Sequence, residues 1–161
     1  MVLPIMRKKG RGVIVNVTSI GAIRGALGNG YYSAAKGALE LVTEALDKEV
    51  EHLGIQTLLV EPGAFRTNFY GEGLKGTENK ISDYDVLAQK YRKENTRNNK
   101  NQLGDPTKAG EVIVETILSE EMSKRLLLGS DALQIAQDVW KDRLKESEKW
   151  KNISLKTDYD L

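Results

Sequence analysis

Three side chains have the types and spacing for joint proton-transfer chemistry: Ser19, Tyr32 and Lys36, all within Gly12–Lys36, GVIVNVTSIGAIRGALGNGYYSAAK. Tyr32 and Lys36 stand one helical turn apart, which puts the phenol and the ammonium on the same helix face. A cation beside a phenol favours the phenolate and so makes a tyrosine a usable proton donor and acceptor. Carbonyl reduction needs such a group, because hydride arriving at carbon leaves an alkoxide that must be protonated. Ser19 adds a hydroxyl suited to hold the same oxygen.

Positioning these groups requires a strand and a helix. Val13-Ile14-Val15-Asn16-Val17 is short, rich in β-branched residues and bounded by Gly12 and Thr18-Ser19, which predicts a strand buried on both faces of a parallel sheet. Ser19 then lies just past its carboxyl end, where open α/β sheets gather ligands. Ile20 to Asn29 contains Gly21, Gly25 and Gly28 without periodicity and reads as an irregular loop, with Asn29 as N-cap of a helix beyond it. From Gly30 to Leu53 the apolar residues Ala35, Leu39, Val42, Leu46, Val50 and Leu53 fall at steps of three and four, predicting an amphipathic helix that Gly54 stops.

Composition narrows the chemistry. The 161 residues suit one domain, and 40% hydrophobic with 29% charged residues is ordinary for a globular chain. With 24 Lys plus Arg against 23 Asp plus Glu, nothing points to nucleic acid or a membrane. No cysteine is present, which excludes disulfides and thiolate catalysis, and His52 is the lone histidine. A histidine-based triad or multi-histidine metal site is thereby excluded, so no metal is expected, and His52 reads as a helix-end side chain. The opening segment lacks a secretory pattern, and no run reaches about 20 apolar residues. A cytoplasmic protein is the expectation.

Elsewhere, Met1 to Met6 running into Arg7-Lys8-Lys9-Gly10 reads as the finish of a helix. Gly71-Glu72-Gly73-Leu74-Lys75-Gly76 matches G-x-G-x-x-G by letter, yet no buried strand precedes it and no periodic helix comes after, so it reads as a loop and not as a phosphate cradle. Ile55 to Val60 predicts a second strand, parallel to the first across the long helix, ended by Glu61-Pro62-Gly63. Residues 68–103 are the most polar part, with Ser82-Asp83 capping a helix from Tyr84 to about Lys93. The basic run Lys90, Arg92, Lys93, Arg97 and Lys100 reads as a solvated face. Asp105-Pro106 starts a helix, with Ala109, Val112, Ile113, Thr116 and Ile117 inward. Arg125 to Leu128 predicts a third strand. Ser130 or Asp131 should cap a last helix with Leu133, Ala136, Trp140 and Leu144 inward, and a charged tail from about Lys145 carries Trp150, Ile153 and Tyr159.

A serine after a sheet strand, then Tyr-x-x-x-Lys opening a long helix, resembles the short-chain dehydrogenase/reductase family. IVNVTS upstream, YYSAAKGAL around Tyr32 and Lys36, and VEPGAFRT downstream carry the resemblance, and DPTKAGEVI with RLLLGSDAL resembles the carboxyl-terminal part of one branch. The resemblance implies a single α/β domain: a partial doubly wound, Rossmann-like parallel sheet of about three strands with flanking helices. It implies an oxidoreductase moving hydride between a nicotinamide cofactor and a carbonyl or secondary alcohol. Tyr32 would be the general acid/base, Lys36 would hold the ribose hydroxyls and assist Tyr32, and Ser19 would bind the substrate oxygen. Pro62, Gly63 and Thr67 would border the nicotinamide of NADP or NAD, with NADP favoured by the resemblance. Residues 68–103 would cover the substrate.

Measured against the family, the glycine-rich first βαβ unit, the residue that chooses between the two cofactors and a catalytic asparagine have no counterpart in these residues. These 161 residues alone are therefore expected to show no turnover, and the departure supports a competing expectation from another class: a catalytically silent half-domain that folds and self-associates without cofactor. Either way a homo-oligomer is expected, a dimer using the outer face of the Gly30–Leu53 helix, where Ala38, Leu41 and Ala45 add apolar surface.

Overall fold

The computed structural model describes residues 2–70, 81–87, 90–91 and 100–159. The first element, α1 (Leu3–Lys9), carries Pro4 in its first turn and ends where Gly10 takes a left-handed φ of 63°. The strand β1 (Gly12–Val17) comes next, then one helical turn, α2 (Ile20–Ile23), and the long α3 (Gly30–Val50). A 3-10 turn over Glu51–Leu53 closes α3, and Gly54, at φ 70°, reverses the chain into β2 (Ile55–Pro62). Then come α4 (Pro106–Leu118), β3 (Arg125–Leu128) and α5 (Ser130–Ser154).

The three strands form one parallel sheet in the order β1-β2-β3. Gly12 pairs with Ile55 and Val17 with Val60, while Leu59 pairs with Arg125 and Pro62 with Leu128. The predicted α/β parallel sheet is therefore present, with α3 crossing from β1 to β2 and α4 from β2 to β3. β2 runs beyond the expected Val60 to Pro62. β1 forms one edge of the sheet, so it is only half-buried and Val17 is 52% exposed, unlike the expectation of burial on both faces.

The two sheet faces differ in chemistry. On one, Leu58, Val60 and Leu128 are buried against Ala109, Ile113 and Ile117 of α4 with Val15, Phe65, Met122 and Leu126. The Asp105 carboxylate caps α4 as expected, accepting from the Thr107 N–H at 2.9 Å, with Pro106 opening the helix.

The other face, against α3, sets polar groups between the buried Ile55 and Leu59. The α3 residues buried there are Glu40, Thr43, Asp47 and Val50, whereas Val42 is 64% exposed and Ala35 is exposed. The inward stripe is thus turned roughly a quarter of the circumference from the apolar one that the sequence suggested. Asn16 donates to the Thr43 hydroxyl at 2.8 Å, Thr18 to Glu40 at 3.1 Å and Thr57 to Asp47 at 3.0 Å. Lys124, before β3, closes on Asp47 at 2.7 Å. Burial works against the charged Asp47 carboxyl, but hydrogen bonds from Lys124 and Thr57 and the Lys124 charge outweigh it and hold the group below the ordinary carboxylate range. Such a layer is stable because its buried polar groups find partners across the interface.

Three other expectations change. Residues 20–23 are helical, because the Ser19 hydroxyl accepts from the Gly21 N–H at 3.0 Å and caps the turn. α5 buries Ala132 and Ala136 and leaves Leu133, Trp140 and Leu144 exposed, and neither Ser130 nor Asp131 caps it by side chain. It also continues as helix through the charged segment to Ser154, with Trp150 and Ile153 on its surface. Near residue 82 a 3-10 turn, Ser82–Tyr84, has Ile81 at its cap position and no side-chain cap. Residues 85–87 and 90–91 are helical, as expected there, while the remainder of that helix, most of the basic run and the Gly71–Gly76 motif lie outside the described residues.

This orientation of α3 has a direct test. Leu58→Ala, the control on the opposite sheet face, should lower unfolding free energy by about 2–5 kcal/mol, while Val42→Ser should change it by less than about 0.5 kcal/mol. Denaturant unfolding of both variants decides: a large loss in Val42→Ser would place the apolar stripe inward after all.

Candidate active site

At the carboxyl end of β1, Thr18 is buried and its N–H donates to the Val60 carbonyl at 2.7 Å, so the chain leaves the sheet at a fixed point. Ser19 is next, in extended conformation. Because its oxygen accepts from the Gly21 N–H, its own O–H is oriented away from that bond and can donate elsewhere.

Tyr32 stands in the first turn of α3, half-buried, its ring tilted against Phe69 with centroids 5.7 Å apart. A Cβ built on Gly21 would lie 3.0 Å from Cε1 of Tyr32 and 3.4 Å from Oγ of Ser19. The tyrosine ring and the serine hydroxyl therefore approach one point above Gly21, and a larger residue there would press on both. Lys36, one turn on, donates from Nζ to the Val17 carbonyl at 2.9 Å and lies 6.0 Å from the Tyr32 ring centroid. The lysine thus fastens the start of α3 to the end of β1. Asn29 occupies the N-cap position but makes no side-chain cap bond; its carbonyl oxygen accepts instead from the Tyr91 hydroxyl.

The turn after β2 completes the arrangement. The Gly63 N–H donates to the Leu128 carbonyl at 2.9 Å. A Cβ at Gly63 would collide with the Asp131 carboxylate, whose Oδ2 accepts from the Ala64 N–H at 2.7 Å. The space that a side chain at residue 63 would fill is taken by the aspartate, which clamps the turn. The expected capping role of Asp131 is replaced by this one, and the sequence held no local signal for it. Beyond the turn, Phe65 pairs with Gly104 in an isolated parallel bridge and the Arg66 Nε–H donates to the Gln102 carbonyl at 2.5 Å. Thr67 is exposed, and its hydroxyl oxygen accepts from the Phe69 N–H at 3.2 Å.

Ser19, Tyr32, Lys36, Pro62, Gly63 and Thr67 all line one cleft of about 750 Å³ at the carboxyl ends of the strands. Phe65, Phe69 and Tyr91 add aromatic wall, the last two from the segment 68–103 that the resemblance puts over the substrate. Among the described residues no group of three or more His, Cys, Asp or Glu side chains is arranged to hold a metal ion, and no helix is long and apolar enough to cross a membrane.

Comparison with known proteins agrees with this arrangement. The family model for short chain dehydrogenase matches residues 1–76. Oxidoreductase BOA17 of Botryotinia fuckeliana is 29% identical over 154 residues, covering 96% of this chain and 56% of that protein. The 3-ketodihydrosphingosine reductase of Bacteroides thetaiotaomicron is 50% identical over 68 residues, which are 42% of this chain and 25% of the reductase. A short-chain dehydrogenase structure from Streptomyces avermitilis superposes with a TM-score of 0.85 at 36% identity, covering 98% of this chain and 56% of that one. The chain thus spans little more than half, or less, of the length of these relatives. With sheet order, cleft and sequence all in agreement, the chain belongs to the short-chain dehydrogenase/reductase family.

Proposed function

We propose that this chain forms the catalytic part of an oxidoreductase that moves hydride between a nicotinamide cofactor and a carbonyl or secondary alcohol. The observation that carries the reading is the approach of Tyr32 and Ser19 to one point above Gly21, with Lys36 held between the end of β1 and the phenol ring. The cleft has the size of a small-molecule site.

The residues fit a nicotinamide cofactor, NADP or NAD: Lys36 offers an ammonium to ribose hydroxyls, and the Pro62–Gly63 turn with Thr67 offers a wall and a hydroxyl to the carboxamide end. When bound, the cofactor supplies or accepts the hydride. In the reducing direction Ser19 donates its O–H to the carbonyl oxygen and fixes its orientation. Tyr32 gives its phenolic proton to that oxygen as negative charge develops, and the Lys36 ammonium stabilises the phenolate left behind. In the oxidising direction the same proton returns to Tyr32. Tyr32→Phe removes this proton with little loss of packing. It should lower kcat by about 10²–10⁴-fold while cofactor affinity, read by fluorescence titration, stays near that of the unsubstituted protein. Unaltered kcat with both cofactors and a panel of ketones would remove Tyr32 from the mechanism.

A second reading is favoured by a separate observation. Val17 on the β1 edge is 52% exposed, and Leu41 and Val42 on α3 are 68% and 64% exposed, so among the described residues a strand edge and apolar side chains of a helix are both open. Such surfaces seek partners, and a chain that self-associates without binding cofactor would use them. The two readings share a dimer built on the outer face of α3, with Ala38, Leu41 and Ala45 at its centre. Sedimentation velocity should show a dimer at micromolar concentration that Leu41→Arg converts to monomer; a monomer before substitution would refute that interface. Titration of the chain with NADPH and NADH then separates catalyst from silent module.

A further inference from the structure

Three carboxylates converge on one guanidinium in the polar layer under α3. Arg125 of β3 donates from Nη1 to Glu61 of β2 and, at 3.2 Å, to Oε2 of Glu40 on α3, and from Nη2 to Glu44. Glu61 is fully buried, and its Oε2 has no hydrogen-bond partner. Glu40 is 7% exposed and its Oε1 accepts from the Thr18 hydroxyl at 3.1 Å. None of Arg125, Glu40 or Glu61 lines the cleft. Buried charge of this kind costs desolvation and is weak as a source of stability, so its presence calls for another account.

The segments that the cluster joins supply one. Glu40 lies one turn beyond Lys36, which lies one turn beyond Tyr32, so the three share a face of α3. Glu61 precedes the Pro62–Gly63 turn. Thr18 precedes Ser19 and is hydrogen-bonded to Glu40. The guanidinium therefore stands where the three segments that carry the cleft residues meet, and its planar fork can bond two carboxylates in fixed directions where an ammonium would act as a point charge. Burial first, and then the neighbouring Glu40 charge, raise the Glu61 carboxyl above the ordinary range, against the pull of Arg125. Asp47 and Lys124 form the next pair along the layer. The outer side of the cluster opens to a cleft of about 530 Å³ with Trp140 and Arg143 on its wall.

We propose that Arg125 is a positioning residue: by sharing its guanidinium between Glu40 and Glu61 it sets Tyr32 and Lys36 in register with Ser19 and the Pro62–Gly63 turn. This rests on the oxidoreductase reading above, and it assigns a function to side chains outside the cleft. A displacement of reacting groups by about 1 Å costs roughly 10²-fold in rate.

The test uses Arg125→Met, Arg125→Lys and the double variant Arg125→Met/Glu61→Gln. Arg125→Met should lose both thermal stability and about 10²-fold in kcat. The double variant removes the stranded carboxylate and should regain most of the stability while kcat stays at least about tenfold down. Arg125→Lys keeps a cation and should fold, yet it should also be slow, because an ammonium cannot reproduce the fork; it serves if Arg125→Met does not fold. Recovery of kcat in step with stability in the double variant, or full activity in Arg125→Lys, would overturn the proposal. Absence of turnover in the unsubstituted form of a protein that carries these residues together with a cofactor-binding βαβ unit would instead defeat the oxidoreductase reading. The same variants are then judged by amide resonances: displaced Ser19, Tyr32 and Gly63 signals support positioning by Arg125, and unmoved ones overturn it.

Discussion

The guanidinium of Arg125, shared among Glu40, Glu44 and Glu61, is the contact on which the geometry of the cleft depends. Hydrophobic burial is non-directional, and a helix packed by oil alone can slide or rotate by a fraction of a turn at small cost. A polar layer cannot. Asn16 to Thr43, Thr18 to Glu40 and Thr57 to Asp47 each fix one position of α3 against one position of the sheet, and a shift of the helix would strand several buried groups at once. The penalty for stranding such groups, about 1–3 kcal/mol each, converts a packing contact into a register.

The sheet divides its labour accordingly. The face toward α4 buries Leu58, Val60 and Leu128 and supplies apolar stabilisation. The face toward α3 spends part of that stabilisation on order near the strands' carboxyl ends, where Tyr32, Lys36 and Ser19 meet. The Asp131 carboxylate performs the same task for the turn after β2, bonding the Ala64 N–H in the space left by Gly63. Both devices hold backbone that would otherwise be free to move beside the cleft.

Much of this fold was legible from residues alone. Short apolar runs marked the strands, Gly10 and Gly54 the stops with left-handed φ, and Asp105-Pro106 the start of α4. Tyr32 and Lys36 were legible as a pair because a spacing of four puts them on one helix face, and Ser19 was joined to them by the family resemblance. The inward stripe of α3 was not. Periodicity identifies a helix and its faces, but the choice of inward face depends on the groups that the sheet presents, and here Asn16, Thr18, Thr57 and Glu61 present polar ones. A stripe of Lys36, Glu40, Thr43 and Asp47 has the same period as one of Leu39, Val42 and Leu46. For α5 the reason is steric: the small Ala132 and Ala136 pack closest, which leaves Leu133 and Trp140 outside. Asp131 and Arg125 were unreadable because their partners lie 67 and 64 or more residues away.

Everything rests on convergence, with a polar layer setting a tyrosine and a serine from separate elements around one oxygen site. A crystal structure of the protein with a bound carbonyl or alcohol ligand measures it most directly. The account requires the ligand oxygen within about 2.6–3.2 Å of both the Tyr32 and Ser19 hydroxyls, with Arg125 still bridging Glu40 and Glu61. A Tyr32 side chain turned behind α3, away from an oxygen bound at Ser19, would contradict it.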